Sequence, residues 1–80
     1  MSFRVRYAKD AQADVHDLAS EPRRRFDTEL ARLAGDPFGR ESIALGERDY
    51  RQVRLGGCIA TYHADEDARI VSVVRVMGPQ

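Results

Sequence analysis

The sequence predicts an α+β domain in which a helical hairpin covers one face of a small, mainly antiparallel sheet. Two early segments repeat apolar residues at three- and four-residue spacing, the period of an amphipathic helix. The opening segment and the late ones instead favour alternation or β-branched runs, with turn residues between them. Helices grouped early and strands grouped late imply two packed layers, not a repeating parallel βα unit.

Each element follows from local chemistry. Phe3-Arg4-Val5-Arg6-Tyr7 alternates apolar and charged side chains and predicts a half-buried strand. Ala8, Ala11, Val15 and Leu18 then form the stripe of a first helix, with Asp10, Asp14 and Asp17 largely on its other side. Ser20-Glu21-Pro22 interrupts that pattern. Pro22 suits the first turn of a second helix, with Ser20 or Glu21 near its cap, and Phe26, Leu30 and Leu33 supply the apolar stripe. Gly35, followed by Asp36-Pro37, is a natural stop. So short a connection predicts an antiparallel αα-hairpin.

From Asp36 to Arg48 the chain is rich in turns, with room for a short edge strand at Ile43 to Leu45. Tyr50 to Leu55 and Cys58 to His63 follow as strands joined at Gly56-Gly57, a pair that tolerates the positive φ of a tight hairpin. After an acidic turn, Ala64 to Ala68, comes the most β-branched run, Arg69 to Met77, expected inside the sheet. The order is β-α-α-β-β-β with three or four strands in the sheet, and residues 1–80 form one domain.

Composition limits the function. The 80 residues carry 13 basic and 13 acidic side chains, which argues against binding nucleic acid through bulk charge alone. Lys9 is the one lysine and the other 12 basic residues are arginine. Guanidinium groups suit bidentate contacts to phosphate or carboxylate, although a genomic base bias yields the same composition. No apolar run approaches the length of a membrane span, the N-terminus lacks the apolar stretch of a signal peptide, and Cys58 has no partner for a disulfide. These features predict a cytoplasmic protein. His16, His63 and Cys58 are too scattered for a metal pattern, and no phosphate loop, nucleophile elbow or carboxylate pair calls for a cofactor.

Alternation divides the first hairpin strand. Arg51, Val53 and Leu55 share one face and Gln52 and Arg54 the other; since Val53 and Leu55 belong against the helices, Arg54 points to the open side. Arg23-Arg24-Arg25 opens the second helix, where positive charge is slightly unfavourable. It is either a binding patch, for RNA or an acidic partner, or a solvated face paired with Asp27 and Glu29.

Taken in order, FRVRYAKDAQADVHDL, FDTELARLAGDPFG, YRQVRLGG followed by CIATYHAD, and RIVSVVRV resemble the RelE/ParE toxin superfamily of bacterial type II toxin–antitoxin systems, across nearly the whole chain. The resemblance implies a small toxin neutralised by a cognate antitoxin protein. RelE-like members cut mRNA in the ribosome without metal or cofactor. Basic side chains on the open face orient the phosphate while the RNA's own 2′-OH attacks. ParE-like members act on DNA gyrase instead. Arg54 matches the arginine of the family's Arg-x-Gly hairpin. Cys58 and Ile59 stand where the family carries an aromatic and a phosphate-binding arginine, and Gly78-Pro79-Gln80 lacks the family's closing His-Arg and tyrosine.

The family alignment puts Ile59, Thr61, His63 and Arg75 on the open face with Arg54. The expected catalytic set is therefore Arg54, Arg75 and His63, with Arg51, Gln52, Arg23 and Arg24 as RNA contacts. The competing expectation pairs these arginines with local acids such as Glu47, Asp49 or Asp65. The expected activity is ribosome-dependent mRNA cleavage by a weakened or altered site. The alternative is a catalytically inactive module that binds gyrase or only an antitoxin.

Overall fold

A computed structural model describes residues 2–79; the expectations for Met1 and Gln80 lie outside the described residues. Strand β1 (Arg4–Tyr7) leads into α1 (Lys9–His16) and α2 (Ser20–Leu33). Strands β2 (Ser42–Leu45), β3 (Glu47–Leu55), β4 (Cys58–Asp65) and β5 (Ile70–Met77) follow. They form one five-stranded sheet in the order β1-β5-β4-β3-β2. Its four late strands pair antiparallel, and β1 joins the far edge parallel to β5, so β5 lies inside the sheet. No helix is long and apolar enough to cross a membrane.

The helices lie on one face because both apolar stripes need a partner. Ala11 and Val15 of α1 and Phe26, Leu30 and Leu33 of α2 are buried with Val53, Leu55, Cys58, Ala60, Tyr62, Ala64, Val71, Val73 and Val76. β4 shows the alternation most cleanly. Cys58, Ala60, Tyr62 and Ala64 are essentially inaccessible, whereas Ile59, Thr61 and His63 point away from the helices. Side chains no larger than Cys and Ala at three of these four positions let a helix approach closely, and Tyr62 fills the rest of that layer.

The β3–β4 connection is a two-residue loop closed between Leu55 and Cys58, with Gly56 at φ 59° and Gly57 at φ 83°. Positive φ at both central residues is the geometry whose twist matches a hairpin. Gly56 is needed for a second reason. A Cβ there would lie 2.7 Å from the Phe26 backbone nitrogen, so the hairpin tip touches α2, and the Gly56 N–H donates to Glu29 Oε1 at 3.0 Å.

Several boundaries differ from the sequence expectation. The cap of α2 is Ala19, extended at φ −64° and ψ 160° with no side-chain cap, so Ser20 and Glu21, expected near the cap, are the first two helical residues. Pro22 has no N–H to leave unpaired in that uncapped turn. β3 starts at Glu47, three residues before Tyr50, because Gly46 at φ 87° turns the chain directly from β2 into β3. β4 runs on to Asp65. Arg69, expected in the last strand, ends the acidic turn in a left-handed conformation, φ 59°.

Candidate functional site

The face of the sheet away from the helices carries no covering layer, and Arg54 is exposed on it. With Gln52, Glu41, Ile43, Ile59 and the edge of Val53 it lines a shallow depression of about 160 Å³. β2 forms one wall, and β3 and β4 form the floor. Among the described residues Arg54 has no hydrogen-bond or ion-pair partner, so its guanidinium can accept an external anion. Gln52 adds an amide two residues back on the same face. Ile59, directly across from Arg54 in the β3–β4 register, makes the β4 side of the floor apolar.

The other residues expected to join Arg54 are placed elsewhere or engaged. His63 shares the open face, but it lies four residues beyond Ile59, roughly 13 Å along β4 at about 3.3 Å per residue. One phosphate held by Arg54 cannot also be served by His63.

Arg75 is bound to Asp14 of α1, with Nε to Oδ2 at 2.9 Å and Nη2 to Oδ1 at 3.1 Å. The same carboxylate accepts the Val76 N–H at 2.8 Å. The cause is topological. β1 pairs only with the first half of β5, through Val73, so the second half is an unpaired edge that α1 covers. A register shift between Thr61 and Tyr62 in the β4–β5 pair marks an irregularity at the same level. The Arg75 guanidinium, and then the Val76 N–H, hold the Asp14 carboxyl below the usual carboxylate range, and Asp14 in turn raises Arg75.

The expected RNA contacts divide in the same way. Gln52 lines the depression. Arg51 lies on the helix side, where its Nε donates to Ser42 Oγ at 2.8 Å and its Nη atoms to the carbonyls of Arg48 and Ser42. It belongs to a knot that fixes the loop after α2. In this knot the buried Tyr62 hydroxyl donates to the Pro37 carbonyl, and the Arg48 guanidinium sits 3.8 Å from the centre of the Phe38 ring. Arg23 pairs with Asp27 at 3.1 Å and Arg24 with Glu21 at 2.7 Å, both along α2, and Arg23 also reaches the Val15 carbonyl of α1. These two arginines knit the helix layer together on the opposite side of the sheet from Arg54.

Cys58 is buried, and burial pushes its thiol up from the ordinary value, so it packs as a small apolar residue and is no nucleophile. Among the described residues no cluster of three or more His, Cys, Asp and Glu side chains could hold a metal ion. Sequence reasoning missed Glu41 and Ile43 as walls of the depression, and Asp14 as the partner of Arg75. The alternation of β2 would have flagged Ile43. Nothing local links Asp14 to a residue 61 positions away.

Comparison with known proteins agrees with this architecture. A family model described as the ParE toxin of type II toxin–antitoxin system, parDE, matches residues 5–78. Among curated proteins, none matches the sequence. The fold is similar to that of a chain in the RelBE2 toxin–antitoxin complex from Mycobacterium tuberculosis, with TM-score 0.82, 23% identity, and 98% of this chain and 99% of that chain covered. It is also similar to the isolated RelE toxin of E. coli, with TM-score 0.86, 17% identity, and 99% and 86% covered. A chain of the archaeal RelE–RelB complex from Pyrococcus horikoshii OT3 gives TM-score 0.81 at 24% identity, with 98% and 96% covered. At these identities the likeness is one of fold.

Proposed function

The chain belongs to the ParE toxin family of type II toxin–antitoxin systems, within the RelE/ParE group, and on that premise we propose that it stops translation by cutting ribosome-bound mRNA with a reduced site. The observation that carries this reading is the unpaired, exposed guanidinium of Arg54 beside Gln52 in the open-face depression. A guanidinium there holds the scissile phosphate and offsets the charge that builds on it as the RNA's 2′-OH attacks. No metal or cofactor is required.

The site is reduced because Arg54 works with little help. Ile59 faces it, His63 is out of reach, and Arg75 is engaged by Asp14. Loss of a positioned acid or base costs about 10²–10⁴-fold in rate, so cleavage is slow compared with a fully equipped site.

The partner that restrains it is an antitoxin protein. The M. tuberculosis and P. horikoshii relatives are solved as complexes with theirs, which supports the same arrangement here. Such a target and partner place the protein in the cytoplasm.

The test is controlled expression followed by mapping of mRNA 5′ ends. Cuts in codon register that vanish with Arg54→Ala support the proposal. Growth arrest with intact mRNA rejects it.

A second reading is favoured by the Asp14–Arg75 pair, which withdraws one expected catalytic group. In that reading the chain binds without cutting, on gyrase or on the antitoxin alone. A DNA-damage response without mRNA cuts, unchanged by Arg54→Ala, identifies the gyrase case; no growth arrest at all identifies a chain that only binds its antitoxin.

A further inference from the structure

The strand register aligns the open face into cross-strand rungs. Arg54, Ile59 and Met77 form one rung, and Gln52, Thr61 and Arg75 form the next. The third runs Tyr50, His63, Ser72 and Arg6 across β3, β4, β5 and β1. Aligned partners project to the same side of a sheet, so these four side chains make one row on the open face, spanning roughly 14 Å at about 4.8 Å per strand.

The composition of this third row is unusual for a surface that packs against nothing. Tyr50, 37% accessible, is the most exposed of the chain's aromatic residues, and His63 beside it is also exposed. Among the described residues Arg6 has no hydrogen-bond or ion-pair partner. One rung further on, the Arg4 side chain also has no hydrogen-bond or ion-pair partner among the described residues, and Asp65, two strands away across Ile70, accepts the Ala68 N–H. Arg6, with Arg4 beyond it, and Arg54 are therefore unpaired positive charges at opposite ends of the face, although the whole chain has no net charge. Stacking rings flanked by separated cations suit single-stranded nucleic acid, because each base offers a π-face and the backbone offers a charge at every step.

We propose that the Tyr50–His63–Ser72–Arg6 row is a subsite for single-stranded RNA, separate from the Arg54 depression. One base stacks on Tyr50 and His63, Arg6 holds a backbone phosphate, and the Ser72 hydroxyl between them hydrogen-bonds a ribose hydroxyl. The row lies two rungs from Arg54, roughly 13 Å. That distance matches a strand crossing the face with about one nucleotide per rung. The inference rests on the reading that the toxin acts on mRNA, since it supplies a grip on the strand whose phosphate Arg54 holds. It also gives His63 a positioning role in place of proton transfer.

The test is fluorescence anisotropy of the antitoxin-free protein with a fluorescein-labelled single-stranded RNA of mixed sequence, about ten nucleotides long to cover the face. Tyr50→Leu lowers the affinity about tenfold and Tyr50→Phe restores it, because the ring and not the hydroxyl does the stacking. Arg6→Ala also weakens binding and reduces the slope of log affinity against log salt by about 0.7, one phosphate contact to a single strand. Both substitutions are at surface positions, and unchanged circular dichroism confirms the fold.

The proposal is overturned if the parent binds no RNA, if either Tyr50→Leu or Arg6→Ala binds as the parent does, or if a polyglutamate peptide binds as tightly as the RNA. This outcome is separable from the cleavage reading. RNA binding that depends on Tyr50 without any mRNA cuts keeps the subsite and removes the nuclease. Cuts with an RNA affinity indifferent to Tyr50 and Arg6 do the reverse.

Discussion

The same five strands present two faces, and Arg51, Arg23 and Arg24 on one side are engaged differently from Arg54 and Arg6 on the other. On the helix side Arg51 is fastened to Ser42 and to the Arg48 carbonyl, and in the helix layer Arg23 and Arg24 are matched with Asp27 and Glu21. These groups hold layers and loops in place. On the open side Arg54 and Arg6 have no internal partner among the described residues. Exposure alone does not separate the two sets, since Arg24 is exposed as well. Partnership separates these residues, with two qualifications: Arg75 on the open side is held by Asp14, and Arg25 and Arg32 of α2 have no hydrogen-bond or ion-pair partner among the described residues.

Substitutions on the covered face should have the largest effect. Tyr62→Ala removes the largest fully buried side chain and the hydroxyl that anchors Pro37, and should cost about 3–5 kcal/mol. In a domain this small that is a large share of the total stability, read as a collapse of the urea midpoint. Gly56→Ala comes next. It forces a Cβ toward the Phe26 backbone at positive φ, and about 2 kcal/mol should be lost in the same measurement.

Asp14→Asn should be milder, and it tests the seam between the faces. The Asp14 carboxyl is held low, so its stabilising effect is complete above the unfolded-chain carboxylate value near ~3.9 and is lost as pH falls through the lower folded value. The parent should therefore lose stability on acidification below about pH 4, and the variant should show a shallower acid limb in urea titrations taken across that range.

The smallest effect on stability belongs to the open face. Arg54→Ala should shift the midpoint by less than about 0.5 kcal/mol while abolishing mRNA cleavage. If Arg54→Ala instead unfolds the chain, the contrast between the faces fails.

Much of this was legible in the sequence, for a physical reason. Helix stripes and strand alternation are local, so Val15, Phe26, Leu30, Val53 and Leu55 announced the covered face, and Gly56-Gly57 announced the hairpin. Arg54 could be placed because its neighbours Val53 and Leu55 are unambiguous. The position of His63 relative to Arg54 needed the register, which one strand's alternation does not contain. The engagement of Arg75 needed more still. It depends on β1 ending level with Val73 and on α1 turning back beside the exposed remainder of β5, a relation between segments distant in the chain. For the same reason the row from Tyr50 to Arg6, which joins the two ends of the sequence, emerges only once β1 is paired with β5.

The Asp14 carboxylate on the Val76 N–H has a consequence for solubility. β5 is the most β-branched strand of the molecule, and on its β1 side no strand covers its second half. Unpaired edges of that composition recruit other strands and seed aggregation. A single charged side chain, clamped by Arg75, occupies the place where a foreign strand would begin to pair. Helix α1 thus serves as a gatekeeper for that edge, and removal of the Asp14 carboxylate should raise the toxin's tendency to aggregate in concentrated solution.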